Sequence, residues 1–279
     1  MPELEPQLLR FFLINSFLMS FLQIFFLGLT LIMIMMTLLW GVSIIVKNVS
    51  IVDLFWGLGF VLTGGFYFLK TDGLEIRKII LLILVAIWGL RLSFYLAWRN
   101  IGEGEDFRYK QFREKYGKKF WWLSFFQIFL FQGVLMWIIS APLLGAQYYG
   151  RNNAFSVIDI IGIFFWLIGF FFESTGDFQL ARFKAEPSNK NKVLDKGLWS
   201  YTRHPNYFGD SSVWWGFGII CLAAGSYIPV LGSVLMTFII IKISGIGLLE
   251  KSLKNKKPGY REYVEKTSAF LPWFPKRKD

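Results

Sequence analysis

The sequence predicts an all-α membrane protein: a polytopic bundle of about seven transmembrane helices, with the N-terminus outside and the C-terminus in the cytoplasm. Three observations carry this. Hydrophobic residues make up 54% of the 279 and aromatics 19%, which leaves too few polar residues to cover a water-facing surface. The apolar residues come in continuous blocks, whereas a β-barrel would need alternation. The 30 Lys and Arg residues are also divided very unevenly among the segments between blocks.

A bilayer core of ~30 Å takes about 20 helical residues. Blocks of about that length lie near 27–46, 51–69, 79–100, 124–146, 155–177, 207–224 and 227–249. Residues 11–26 add a further apolar run that either extends the first helix or lies along the interface. Six Lys/Arg fall in 101–122, six in 178–206 and nine in 250–279, against three, one and none in 69–78, 147–154 and 223–228. With seven crossings, the rich segments share one side, and the positive-inside rule makes that side cytoplasmic. The net charge of +11 is then a topology signal, and nucleic acid is not the expected partner.

The acidic start Met1-Pro2-Glu3-Leu4-Glu5 lacks the basic region of a cleaved signal. The lone Cys221 lies within a block and excludes an internal disulfide or a cysteine-rich metal site. No repeat or soluble domain is visible. The chain divides into a 1–26 extension and a single domain over 27–279, with 27–146 and 147–279 as its two halves.

Ionisable groups inside spans cost ~2.5–3.5 kcal/mol each on insertion scales, so each one needs a reason. Arg99 and Asp159 lie near enough to span ends to snorkel. Arg91, Tyr95 and Arg99 follow at i, i+4 and i+8, so they stripe one face of the third span; Glu173 and Asp177 are again i and i+4, and Lys184 follows. Asp53 opens the second span. One reading is a set of interhelical salt bridges such as Asp53–Arg91. The other, favoured because these groups gather at one depth on one side, is a polar cavity open to the cytoplasm.

The segment from Lys196 to Asp210 (KGLWSYTRHPNYFGD) holds the only histidine, His204. Pro205 interrupts helix before it, so Arg203, His204, Asn206 and Asp210 gather at a helix start where free N–H groups favour an anion. Metal catalysis is disfavoured, since one His, one Cys and no HExxH leave no ligand set. Gly102-Glu103-Gly104-Glu105 lacks the strand–helix context of a dinucleotide fingerprint, and no G-x-S-x-G accompanies His204.

Gly197-Leu198-Trp199-x-Tyr201-x-Arg203-His204-Pro205-Asn206-Tyr207-x-Gly209 resembles a motif shared by the steroid 5α-reductase family and the isoprenylcysteine and phospholipid methyltransferases. Tyr260-Arg261-Glu262-Tyr263 and Ala269-Phe270-Leu271-Pro272 look like the ending common to both. Val52 to Phe60, Trp88 to Asn100 and Glu105-Asp106-x-Arg108-Tyr109 resemble the bacterial DUF1295 branch of the reductase-like proteins. The paired glutamates of the methyltransferases are replaced here by Glu250-Lys251.

This resemblance implies NADPH as cofactor and reduction of an activated C=C bond in a lipid-soluble substrate, in a bacterial inner membrane with the site facing the cytoplasm. Asp177 and Lys184 look like the family's ribose or adenine and phosphate positions. Tyr201, Arg203, His204, Asn206 and Tyr207 look like cofactor contacts, with Asp210 behind them, and Glu250 and Tyr263 close the pocket. The polarising groups nearest the family's glutamate and tyrosine are Asp53 and Tyr95, with Arg91 between them as an extra cation. The alternatives are an S-adenosylmethionine-dependent lipid methyltransferase and a non-catalytic protein on the same fold.

Overall fold

In a computed structural model that describes residues 19–100, 102–150, 154–244 and 259–276, the chain is helical almost throughout. Among the described residues there is no strand, and one parallel bridge joins Thr202 to Ser268. α1 (Phe21–Val46) starts on a capping box: Ser20 Oγ accepts from the Gln23 N–H at 3.2 Å, and Gln23 Oε1 from the Ser20 N–H at 2.8 Å. The end of the 11–26 run thus extends the first helix. Lys47 stops it with a left-handed φ of 55°.

The block over 51–69 does not form one helix. It folds as a short turn, α2 (Ile51–Leu54), and α3 (Trp56–Lys70), broken at Phe55. The reason lies across the interface. α3 and α4 (Glu75–Asn100) cross with backbones in contact, so that a Cβ on Gly89 would sit 2.5 Å from Gly57 O. Ser93 Oγ on α4 accepts from the Leu58 N–H at 2.9 Å, which satisfies an amide freed by the break.

α5 (Phe107–Tyr116), α6 (Phe120–Ser124), α7 (Phe131–Ile139) and α8 (Ala141–Tyr148) follow end to end in a 42-residue helical stretch, with a π-helical insert at Phe125–Leu130. α9 (Val157–Ala185) and α10 (Pro205–Ala223) pack along a seam of glycines spaced by sevens: Gly162, Gly169 and Gly176 face Gly216, Gly209 and Pro205. A Cβ on Gly169 would lie 2.5 Å from Gly209 O, so only glycine permits the approach. α11 (Leu231–Phe238) continues as the π-helical Ile239–Ser244, and α12 (Tyr260–Lys266) belongs to the tail.

Among the described residues, four helices are long and apolar enough to cross a membrane: α1, α4, the Phe107–Tyr148 stretch and α9. The apolar stretch Ile228–Ile243 is shorter, and α3 and α10 are not among the four. α10 is enclosed, with Trp214 and Phe217 fully buried, and Trp214 meets Phe60 and Trp88 at ring distances of 4.6 and 5.6 Å.

At the end away from the motif segments, Arg77 holds Asp159 through two bonds of 2.7 and 3.0 Å. Both side chains are 0% exposed. Asp159 therefore does not snorkel; it ties the start of α9 to the start of α4. At the opposite end, the Glu105-Asp106-x-Arg108-Tyr109 motif acts as a clasp. Glu105 accepts from the Val49 N–H at 2.9 Å and pairs with Arg113 at 2.8 Å, while the Asp106 N–H reaches Ser50 Oγ at 2.7 Å. Burial opposes the Glu105 charge, but the bonds from Arg113 and Val49 outweigh it and hold the carboxyl below its ordinary range. The clasp's stabilisation is thus present above the unfolded-state pKa and fades as pH falls through the folded value.

Candidate functional site

The C-terminal halves of α4 and α9 and the first two turns of α10 meet at one place. Because Arg91 lies on the α4 face toward α9, its guanidinium forks onto two carboxylates one turn apart: Glu173 at 2.7 Å and Asp177 at 2.6 Å. Trp88, one turn back on α4, donates its Nε1–H to the other Glu173 oxygen at 2.9 Å. Asn206 donates to the second Asp177 oxygen at 3.1 Å. The planar fork of an arginine suits this double acceptor, and a lysine would not reproduce it. Asp210 sits one turn below Asn206, close enough to Glu173 for their charges to interact, and its buried Oδ1 has no hydrogen-bond partner.

Two cavities open on either side of the Asn206–Asp177 contact. One, of about 260 Å³, lies between α4 and α9 and is lined by Arg91, Tyr95, Trp98, Asp177 and Phe178. Trp98 and Phe178 are 65% and 64% exposed, so this cavity borders the lipid-facing surface. The Tyr95 ring is flanked by Arg91 and Arg99 at 5.3 and 5.7 Å; its hydroxyl lies beside the Arg99 side chain and makes a long 3.5 Å contact with Asp177 O.

The other cavity, of about 320 Å³, lies under the tail and is lined by Arg99, Lys184, His204, Asn206, Tyr207 and Tyr263, among others. His204 and Tyr207 stack there with ring centres 5.4 Å apart and planes 10° off parallel. A polar cavity of about 550 Å³ continues past Val193 and Tyr263 toward Lys190, Lys192 and Lys266. Among the described residues no three His, Cys, Asp or Glu side chains are grouped to hold a metal ion.

Of the residues singled out from the sequence, Lys184, Arg203, His204, Asn206, Tyr207 and Tyr263 line the 320 Å³ cleft, and Arg91, Tyr95 and Asp177 line its neighbour. Four do not join them, the first being Asp210, which is buried one turn below Asn206 and lines neither cavity. Tyr201 is 41% exposed and turns to Phe274. Asp53 does not pair with Arg91; it accepts from Tyr109 at 2.8 Å and Arg108 at 3.3 Å, because the break at Phe55 and the clasp bring α2 against α5. Glu250 lies outside the described residues. Sequence reasoning missed Arg99, set aside as a snorkelling residue although its i+8 register puts it on the Arg91 face. It also passed over Glu173 as the main acceptor for Arg91.

Arg203 lines the cleft, yet its guanidinium is engaged with the tail, donating from Nη1 to the carbonyls of Val264 (3.1 Å) and Thr267, while its N–H donates to Ser268 O at 2.9 Å. Arg203→Ala removes a buried cation that ties α12 over the cleft, a loss of about 3 kcal/mol. The undocked tail should become ~10²-fold more populated. Limited trypsin digestion should then cut at Lys266 and Lys276 far faster than in the parent; equal rates would exclude this strut role.

No solved structure matches the chain. The uncharacterized protein C594.04c of Schizosaccharomyces pombe is 27% identical over 273 residues, a match covering 89% of this chain and 79% of that protein. DUF1295, a family described as a protein of unknown function, matches residues 39–267. A match over so much of its length, taking in α4, α9, α10 and α12, means that the chain belongs to the DUF1295 family.

Proposed function

We propose that the protein is a membrane-embedded NADPH-dependent reductase of an activated C=C bond in a lipid-soluble substrate. The supporting observation is the pair of cavities on either side of the C-terminal turns of α9, one under the tail lined by cations and aromatic rings, the other bordered by lipid-facing aromatics, with Asn206 and Asp177 in contact where they adjoin. A water-soluble cofactor and a lipid-soluble acceptor would each arrive from its own solvent, and their reacting atoms would have to come into direct contact where the two cavities adjoin.

The residues suit the group. Lys184 and Arg99 give cations for a pyrophosphate, the stacked His204–Tyr207 pair gives a planar face for a ring, and the adjoining 550 Å³ cavity gives room for a second nucleotide half. When bound, the cofactor supplies the reducing equivalents. The chain's part is to orient and polarise. Asn206 and Asp177 set the wall between the two cavities, and the Tyr95 hydroxyl hydrogen-bonds the oxygen on which negative charge develops. Asp53, engaged by Arg108 and Tyr109, holds α2 against α5. In this reading the chain crosses the membrane seven times, N-terminus out and C-terminus in, in a bacterial inner membrane with the cleft opening to the cytoplasm.

Nucleotide binding to protein purified in mild detergent tests the reading. NADPH should bind more tightly than NADH, and Lys184→Glu should weaken NADPH by about tenfold, the scale of losing one charge-assisted contact. Tight binding of S-adenosylmethionine with none of NADPH would replace the reductase by a methyltransferase.

A further inference from the structure

The tail carries a surface that neither cavity uses. Leu271, Trp273 and Phe274 are 64%, 73% and 76% exposed, on a segment that belongs to no helix. Their backbone is nonetheless fastened. The Trp273 N–H donates to Tyr201 O at 2.9 Å, and the Lys276 N–H to Lys266 O at 3.0 Å. Tyr201 meets Phe274 edge to face with ring centres 6.1 Å apart. Side chains this large and apolar, held outward on a pinned backbone, call for a non-aqueous neighbour.

The depth of the patch identifies that neighbour. Trp199 Nε1 donates to Gly176 O at 3.2 Å, and the Leu198 N–H to Gln179 Oε1 at 3.0 Å, so the segment before Tyr201 lies level with residues 176–179 of α9. One turn deeper, Phe208 meets Phe172 at 5.0 Å and Phe270 at 6.0 Å. At this level α9 passes from exposed Phe171 and Phe178 to the charged Arg182 and Lys184. That change marks the boundary between hydrocarbon and headgroups, where Trp and Tyr concentrate. Charge adds the second half of the argument. Residues 250–279 carry nine Lys and Arg against four Asp and Glu; Arg261 on α12 and Lys276, two residues past Phe274, are both exposed.

We propose that Tyr201, Leu271, Trp273 and Phe274 form a strap seated in the interfacial layer of a leaflet containing anionic phospholipids, with the tail's cations on the headgroups. The inner side of the same strap grips the cleft: Phe270 O accepts from Thr202 Oγ1 at 2.9 Å, and Tyr263 Oη donates to Trp199 O at 2.5 Å. Seating the strap therefore holds α12 over the cleft, whichever ligand the cleft takes.

The lone Cys221 is buried, so a cysteine placed elsewhere can be labelled selectively. Trp273→Cys, Phe274→Cys and, as a control on an exposed loop, Asn191→Cys are labelled with nitrobenzoxadiazole. Each is reconstituted in phosphatidylcholine nanodiscs with or without phosphatidylglycerol. At 273 or 274 the label should emit as in an apolar medium and lose about half its signal to lipids brominated high on the acyl chain; at 191 it should lose less than about a tenth. Phosphatidylglycerol should deepen the quenching at 273 and 274, and Arg261→Glu with Lys276→Glu should abolish that gain. Labels at both 273 and 274 that stay unquenched overturn the proposal, whether they read as solvent-exposed or as covered by protein. Quenching that ignores phosphatidylglycerol overturns the anionic leaflet as partner.

Discussion

Tyr95→Phe should leave NADPH affinity within about twofold of the parent and lower turnover by ~10²–10⁴-fold, the range for a hydroxyl that donates to developing negative charge. Tyr95 lines the lipid-side cavity and not the cleft proposed for the cofactor, and the 3.5 Å contact with Asp177 O leaves its hydroxyl available to an acceptor oxygen. Arg91 and Arg99 flank the ring, so negative charge arising on an oxygen beside that hydroxyl is met by two guanidinium groups. The measurement is NADPH oxidation in the presence of a long-chain enone, alongside equilibrium binding of NADPH. Parent-like turnover in a Tyr95→Phe protein that still binds NADPH would move the donor role elsewhere, with Tyr109 on Asp53 the next hydroxyl to examine.

Arg91→Gln should destabilise the bundle by about 3–5 kcal/mol, because it leaves Glu173 and Asp177 buried without their shared cation. Glu173 is 4% and Asp177 8% exposed at the side chain, so water cannot take over. Thermal unfolding in detergent measures this, and a loss under about 1 kcal/mol would show that the fork is dispensable. Arg91→Lys should recover only part of the loss, since an ammonium does not bridge both carboxylates in one plane. Asp53→Asn should add to Arg91→Gln without rescue, because Asp53 answers to Arg108 and Tyr109 instead.

The parts of this protein that follow from local chemistry are readable in one dimension. Block length marks α1, α4 and α9, and the i, i+4 spacing of Arg91 with Tyr95 and of Glu173 with Asp177 puts each pair on one helix face. What depends on a second helix is not readable. The break at Phe55 accompanies the Gly57–Gly89 crossing and the capture of the Leu58 N–H by Ser93, and both partners lie on α4, more than about 30 residues away. Asp53 and Arg91 are opposite charges at similar depth, and nothing in their spacing reveals that the clasp will claim the first and α9 the second. Arg203 and Tyr201 lie two residues apart in one motif, but an extended turn sends one side chain inward to the Val264 and Thr267 carbonyls and the other out to Phe274. A motif marks a segment, and the backbone path through it decides which of its members face a ligand.

The glycine seam between α9 and α10 bears on how an acceptor from the bilayer reaches Tyr95. Interlocked glycines at 162, 169, 209 and 216 leave no clearance for one helix to slide along the other, so the pair moves as a single rigid pillar. The lipid-side cavity has α9 as one wall and α4 as the other, and across it the two walls are joined by the Arg91 fork. For the proposed reductase, widening this entrance would require α4 to swing away from the pillar. The Arg91 fork, anchored to the pillar at both Glu173 and Asp177, is then the latch that any such swing has to strain.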